Sequence, residues 1–307
     1  MQTKPVTVIG SYNVGLFLKG ATLPTPGQTV IGDQFYEGGG GKGSNQAVAA
    51  SKFGAKTRFI GRVGFDKYGE DAIAMYRRLG INTETVTVDT SIHTGISVIL
   101  IDRFGQNLIS VIPGANFNLS CQDIDAALQA IADSCIVAFQ LENRLEVTDY
   151  AIRRVHDLGI PTFLDPAPAV PLPDDLYPYI DIIKPNETEA TILTGIPVTG
   201  VGTADEAGHW LVERGVGTAI VTLGEHGASL VTKDATRHFF PPRVKAIDST
   251  GAGDIFAGAL MTALAQGRSM EDSIVFASHA AAISTTRLGV IEAIPSADEV
   301  MTSLATL

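Results

Sequence analysis

The stretch Asp248-Ser249-Thr250-Gly251-Ala252-Gly253-Asp254 sets a side-chain-poor backbone and a carboxylate ahead of an apolar run, residues 255–261, that reads as a buried helix. Small residues let successive N–H groups converge on one point, and a helix N-terminus adds partial positive charge there. Such a loop can hold an anion. Asp254, at the helix mouth, can take a proton from an incoming hydroxyl. A phosphate-holding loop with a base on its rim is the least equipment that phosphoryl transfer needs. The plainer reading is that Gly251 and Gly253 shape a turn and Asp254 caps the helix. No Gly-Lys-Ser/Thr follows these glycines, which excludes a P-loop nucleotide site here.

Other stretches carry comparable equipment. Residues 38–43 hold five glycines around Lys42 and run promptly into an apolar helix starting near Ser44. That density suggests a backbone approaching a small ligand at a helix N-terminus, the alternative being a flexible linker. Asn186 and Glu189, three apart, share one face if a helix begins there. An amide and a carboxylate so placed suit a phosphate and a hydrated Mg²⁺, and equally a capping box. Thr222-Leu223-Gly224-Glu225-His226-Gly227 is a glycine turn at a strand end that can lie along a nucleotide. Glu142 and Asp165 also follow apolar runs.

The elements needed to position these groups alternate as βαβ. Strands are predicted at 6–9, 57–60, 135–141, 162–164, 182–184 and 219–223, with helices at 69–79, 123–132 and 147–158 between them. This is an α/β fold with a doubly wound, mostly parallel sheet flanked by helices. Polar groups at the carboxyl ends of its strands are where ligands gather in such sheets. Residues 95–101 and 107–112 break the rhythm as a β-hairpin, and with extended residues 28–36 they suggest a small separate sheet. Over a ligand site such a sheet serves as a lid that excludes water, and its apolar area suits homodimerisation. The expected organisation is one domain, 1–307, with a lid subdomain from about 12–38 and 92–115.

Of 307 residues, 45% are hydrophobic and 18% charged, enough for an extensive core. The net charge of −11 disfavours nucleic acid and anionic membranes as partners. Cys121 and Cys135 have no metal-ligand spacing and read as reduced structural thiols. Met1 leads almost directly into a strand and no run of apolar residues is long enough to span a bilayer, so the expected location is cytoplasmic.

Taken together, these motifs resemble the ribokinase-like (PfkB) carbohydrate kinases over essentially the whole chain. Gly40-Gly41-Lys42-Gly43-Ser44-Asn45-Gln46-Ala47 is similar to the family's amino-terminal signature, residues 248–254 to its carboxy-terminal signature, and Asn186-Glu187-Thr188-Glu189 to its Asn-x-x-Glu motif. Pro24-Thr25-Pro26-Gly27 and Gln140-Leu141-Glu142 resemble the ribokinase branch. The resemblance implies an ATP-dependent kinase acting on a primary hydroxyl of a small sugar. Asp254 would be the base, and the amides of Gly251, Ala252 and Gly253 the anion hole. Asn13, Gly41, Lys42, Gly43, Asn45 and Glu142 would bind the sugar. Asn186, Thr222, Gly224, Gly227 and Gly253 would face ATP, and Glu189 would order Mg²⁺ through water. A K⁺ ion would be held by Asp248 and the carbonyls of Thr250, Ser284, Arg287 and Gly289.

Three positions depart from the family's pattern. Gly15 stands where an aspartate usually grips two sugar hydroxyls, Ala293 replaces a serine K⁺ ligand, and Ser278, with His279 beside it, falls where an Asn or His meets adenine. A charge-assisted hydrogen bond is worth about 1.5–3 kcal/mol. Poor use of ribose, restored by Gly15→Asp, is therefore expected. A nucleoside or hexose kinase of the same family, or a non-catalytic sugar- or nucleotide-binding regulator, are the alternatives. A dinucleotide-dependent dehydrogenase is disfavoured, since Gly10-Ser11-Tyr12-Asn13 after the first strand is no G-x-G-x-x-G.

Overall fold

The structure is a computed structural model that describes residues 4–305. In chain order its strands are β1 (Val6–Ile9), β2 (Asn13–Gly20), β3 (Gly32–Gly40), β4 (Thr57–Gly64), β5 (Val86–Asp89), β6 (Gly95–Ile101), β7 (Asn107–Ile112), β8 (Ile136–Phe139), β9 (Thr162–Leu164), β10 (Ile182–Ile183), β11 (Thr218–Thr222), β12 (Ala228–Thr232) and β13 (Thr236–Phe239). The helices that bear on the site are α1 (Lys42–Lys52), α2 (Lys67–Arg78), α3 (Cys121–Ala126), α4 (Leu128–Ala132), α5 (Leu145–Asp157), α6 (Glu187–Thr194), α7 (Val201–Glu213), α8 (Ala252–Ala265), α9 (Met270–Ser284) and α10 (Ala297–Ala305).

Among the described residues one sheet runs β13-β12-β11-β10-β9-β8-β1-β4-β5, parallel except at the β11-β12-β13 edge. Its central strands are buried on both faces, which is why they read as unbroken apolar runs. The chain winds from β1 through β4 to β5 and then restarts at β8 on the other side of β1. That reversal opens a crevice at the carboxyl ends of β1 and β8. A second sheet, β3-β2-β6-β7, carries the small-sheet residues.

Two helices bring the glycine-rich loops together. Gly258 of α8 lies against α1 so closely that a Cβ there would sit 2.5 Å from Ala49 Cβ and 2.8 Å from the Gln46 carbonyl. The Thr262 hydroxyl, 3.2 Å from the Ala50 carbonyl, ties the same crossing. With their axes this close, the N-termini of α1 and α8 converge on one point.

Some boundaries differ from the sequence reading. The helix expected over 123–132 is two short helices, α3 and α4, meeting at Ala127. Asp123 is the reason for the early start: it closes a capping box with Ser120 and holds the Arg62 guanidinium at 3.0 Å. The extended segment at 28–36 becomes β3, displaced to Gly32–Gly40, so Gly38, Gly39 and Gly40 are strand residues and not loop. Strand β2 carries no clean alternation because Gly15 and Gly20 interrupt it.

Candidate active site

Gly41 caps α1 with φ 89°, and the helix begins at Lys42. The glycines here are required by the chain itself. A Cβ on Gly43 would stand 2.6 Å from the Ser11 nitrogen, and one on Gly41 2.7 Å from the Asn13 nitrogen. The glycine run therefore lets the loop lie directly on the β1–β2 corner. Glu142, after β8, locks that junction: its Oε2 accepts the Lys42 N–H (2.9 Å), the Asn13 amide (3.4 Å) and the Ser11 hydroxyl.

Asn45 lies one turn into α1 and donates to Asp254 Oδ2 at 2.8 Å, while Gln46 approaches Oδ1 at 3.3 Å. The expected base, the sugar-side loop and the phosphate-side loop are thus in direct contact across 209 residues of sequence. Asp254 is buried, and burial, reinforced by Asp165 and opposed by Lys42, raises its pKa. Asn45 Oδ1 is buried with no hydrogen-bond partner among the described residues, an acceptor suited to a ligand hydroxyl. Burial pushes the Lys42 ammonium down, but Asp254, Asp165, Glu142 and Glu189 around it carry it above the usual lysine value.

Gly251 caps α8 at φ 74°, and a Cβ there would meet Val290 Cγ1 at 2.5 Å. The Ala252 N–H turns back to the Ser249 carbonyl at 3.2 Å. This departs from the expectation of three converging amides. The N–H groups of Gly251 and of exposed Gly253 are the ones left to an anion.

Asn186 caps α6 and forms a reciprocal capping box with Glu189, at 2.9 and 2.8 Å. The box uses Asn186 Oδ1 and Glu189 Oε2, so each residue keeps a second polar atom for a ligand. Burial raises Glu189, Asp165 adds to it and Lys184 opposes it. Asn186 is bridged to Thr222 at the end of β11. In the turn that follows, Gly227 is sterically obligatory, because a Cβ would fall 1.9 Å from the Phe239 carbonyl, whereas the space above Gly224 is open.

Asp248 accepts from the N–H groups of Thr250 (2.9 Å) and Gly289 (3.2 Å). Burial would raise it, but these bonds hold it below the usual aspartate range. Residues 247–250 therefore lie beside residues 285–289, and the Ile247 and Asp248 N–H groups both donate to the Thr285 carbonyl, at 2.7 and 3.0 Å.

Along the sheet these groups stand in spatial order. Thr222 ends β11, Lys184 follows β10, Asp165 follows β9, Glu142 follows β8, and Ser11 and Asn13 follow β1. A family profile described as pfkB family carbohydrate kinase matches residues 3–297. The chain belongs to this family. It is an ATP-dependent carbohydrate kinase. A ribokinase of Haemophilus influenzae is 37% identical over 298 residues, covering 97% of each chain, and a deoxyribokinase of Salmonella typhi is 37% identical over 295, covering 96% of each. A ribokinase structure from Thermotoga maritima aligns with a TM-score of 0.91 at 36% identity, over 98% of this chain and 99% of that one. The Arabidopsis thaliana ribokinase solved with ribose and ATP aligns with a TM-score of 0.91 at 30% identity, over 99% of each.

The kinase also has site residues to which sequence reading gave no role. Lys184 is 4% exposed and Asp165 1%, with Nζ and Oδ1 3.1 Å apart, though off the hydrogen-bond direction. Lys184 Nζ lies 3.4 Å from the Gly253 carbonyl, and Gln46 donates to Asp165 Oδ2 at 2.7 Å. A continuous polar chain thus runs from Asp254 through Gln46 and Asp165 to Lys184. The usable signal was a lysine and an aspartate ending two apolar runs that become neighbouring strands. His279 is buried against Ser303 of α10 at 2.8 Å, and burial lowers its pKa, as suits a packed histidine. Ala293 is buried too.

Proposed function

We propose that this kinase transfers the γ-phosphoryl group of ATP to a primary hydroxyl of a pentose-sized sugar. The observation that carries the reading is the 2.8 Å contact of Asp254 with Asn45, which fixes a buried carboxylate between the sugar loop and the helix N-terminus. Asn13, Asn45, Glu142 and the backbone at Gly41–Gly43 orient the sugar, with the orphaned Asn45 oxygen accepting from one hydroxyl. Asp254 takes the proton of the attacking hydroxyl, and its raised pKa makes it a stronger base than an exposed aspartate. The Gly251 and Gly253 N–H groups hold the charge of the migrating phosphoryl, at the positive end of α8. Lys42, ringed by acids, supplies the counter-charge between sugar and phosphate. Asn186, Thr222, Gly224 and Gly227 line ATP.

Glu189 would hold Mg²⁺ through water, and Asp248 with the carbonyls of Thr250, Ser284, Arg287 and Gly289 would hold K⁺. Oxygen donors on pinned loops fit hard cations, which supply charge neutralisation at the phosphates. The relatives named for ribose and deoxyribose support a free pentose over a nucleoside or hexose. No helix among the described residues is long and apolar enough to cross a membrane. Use of ATP as donor supports a cytoplasmic enzyme. A coupled ADP-release screen over pentoses, deoxypentoses, hexoses and nucleosides tests the assignment. No sugar-dependent ADP release from folded protein would reject it in favour of a binding regulator.

The outer face of the small sheet supports a homodimer. Phe35, Leu18, Leu100 and Leu108 stand in one register across all four strands, and Phe35, Leu18 and Leu108 are exposed. A second copy burying this row would also brace the sheet as a lid over the sugar. Wild-type protein is expected to sediment as a dimer and Leu108→Lys with Phe35→Lys as a monomer; a monomeric wild type overturns the assignment.

A further inference from the structure

The inner face of the small sheet has a chemistry of its own. Residues facing one way along β2 are Asn13, Gly15, Phe17 and Lys19, and the register sets cross-strand rows on each. Two contacts place this face over the cleft. Asn13 reaches Glu142 at 3.4 Å, and at the far end Tyr36 is raised by burial and then by Asp248 and Glu292, while Lys19 helps hold Asp248 low.

The rows change character going outward from Asn13. The next row is Gly38, Gly15, Ser97 and Val111, with the Ser97 hydroxyl its single polar side-chain group. The row after it is Tyr36, Phe17, Ile99 and Ile109. Phe17 and Tyr36 stack with ring centroids 4.6 Å apart and planes within 5°. The Phe17 ring leans back over Gly15, so that a Cβ on residue 15 would meet Phe17 Cε2 at 2.6 Å and Cζ at 3.1 Å. Gly15 is thus not an empty socket waiting for a carboxylate, because an aromatic ring already covers it. Gly15→Asp alone would have to turn that ring aside before its carboxylate reached a sugar, so the ring and residue 15 are best changed together.

Successive same-face residues on a strand are about 6.6 Å apart, close to the span of a pentose with its hydroxyls. A sugar anchored at Asn13 and Asp254 therefore reaches Gly15 and the Phe17 ring with its opposite edge. A hydroxyl desolvated there finds a ring edge and no charged acceptor, which disfavours it about ten- to a hundredfold.

Resting on the kinase reading, we propose that Phe17, stacked on Tyr36 above Gly15, forms an apolar wall of the acceptor site that selects a deoxypentose, whose hydrogen-bearing carbon faces the wall, over a pentose with a vicinal diol there. The test compares kcat/KM for D-ribose, 2-deoxy-D-ribose and 3-deoxy-D-ribose in the wild type and in the double variant Gly15→Asp, Phe17→Ala. One of the deoxypentoses is expected to exceed ribose at least tenfold in the wild type. The double variant is expected to move that ratio at least tenfold toward ribose. A merely structural role for the ring would lower all three together and leave the ratio where it was. Ribose equal to or better than both deoxypentoses, a nucleoside preferred to all three, or an unchanged ratio in the folded double variant overturns the wall. Absence of ADP release with every sugar would instead reject the kinase reading itself.

Discussion

Asp254→Asn is expected to lower kcat about 10²–10⁴-fold, the range a positioned general base contributes. The substitution keeps the shape of the side chain but removes its capacity to accept a proton. Nucleotide affinity should change little, since the groups facing ATP sit on α6 and the β11 turn. Asn45 and Gln46 both donate to the carboxylate, so an amide in its place must turn its own NH₂ toward one donor. A modest loss of stability is therefore expected, and a melting curve should accompany the kinetics. The pH profile offers a separate check. A base must be deprotonated, and burial raises Asp254, so the wild-type rate should fall on the acid side at a pH above that of an ordinary aspartate, about 3.9. The asparagine variant should lose that limb. A folded variant retaining most of its turnover would show that another group takes the proton.

The sequence was legible where one element carried its own signal. The apolar runs of β1, β8 and β9 are buried on both faces and could be read without knowing their neighbours. The residues 248–254 and 40–47 were legible because a helix mouth and its glycines are contiguous in sequence. What was not legible depended on two segments meeting. Gly41 and Gly43 read as a ligand loop, but a linear reading does not say that their missing side chains also make room for residues 10–13. The Ala252 N–H looked like a third donor until the Ser249 carbonyl took it. Nothing in a linear reading says that the Phe17 ring folds back over Gly15.

The same limit hid the pairing of Lys184 with Asp165, which carries the second large effect. Lys184→Met is expected to destabilise the fold by about 3–5 kcal/mol, because it removes the cation in ion-pair contact with a nearly inaccessible carboxylate and leaves Lys42 as the remaining counter-charge. The Gln46 amide bonds to Asp165 without carrying a charge, and burial keeps water from solvating the carboxylate. Converting both, Lys184→Met with Asp165→Asn, should cost much less than the sum of the single changes. The neutral amide still accepts from Gln46 and no longer needs a counter-charge. Chemical denaturation of the four members of this double-mutant cycle measures the coupling, and additive losses would mean that the 3.1 Å approach contributes nothing to stability. The cycle should also reach the chemistry. Lys184 Nζ sits 3.4 Å from the Gly253 carbonyl, in the first turn of α8, whose N–H groups are the proposed phosphoryl site. A double variant that regains stability but not kcat would separate the pair's part in folding from its part in setting the field at that turn.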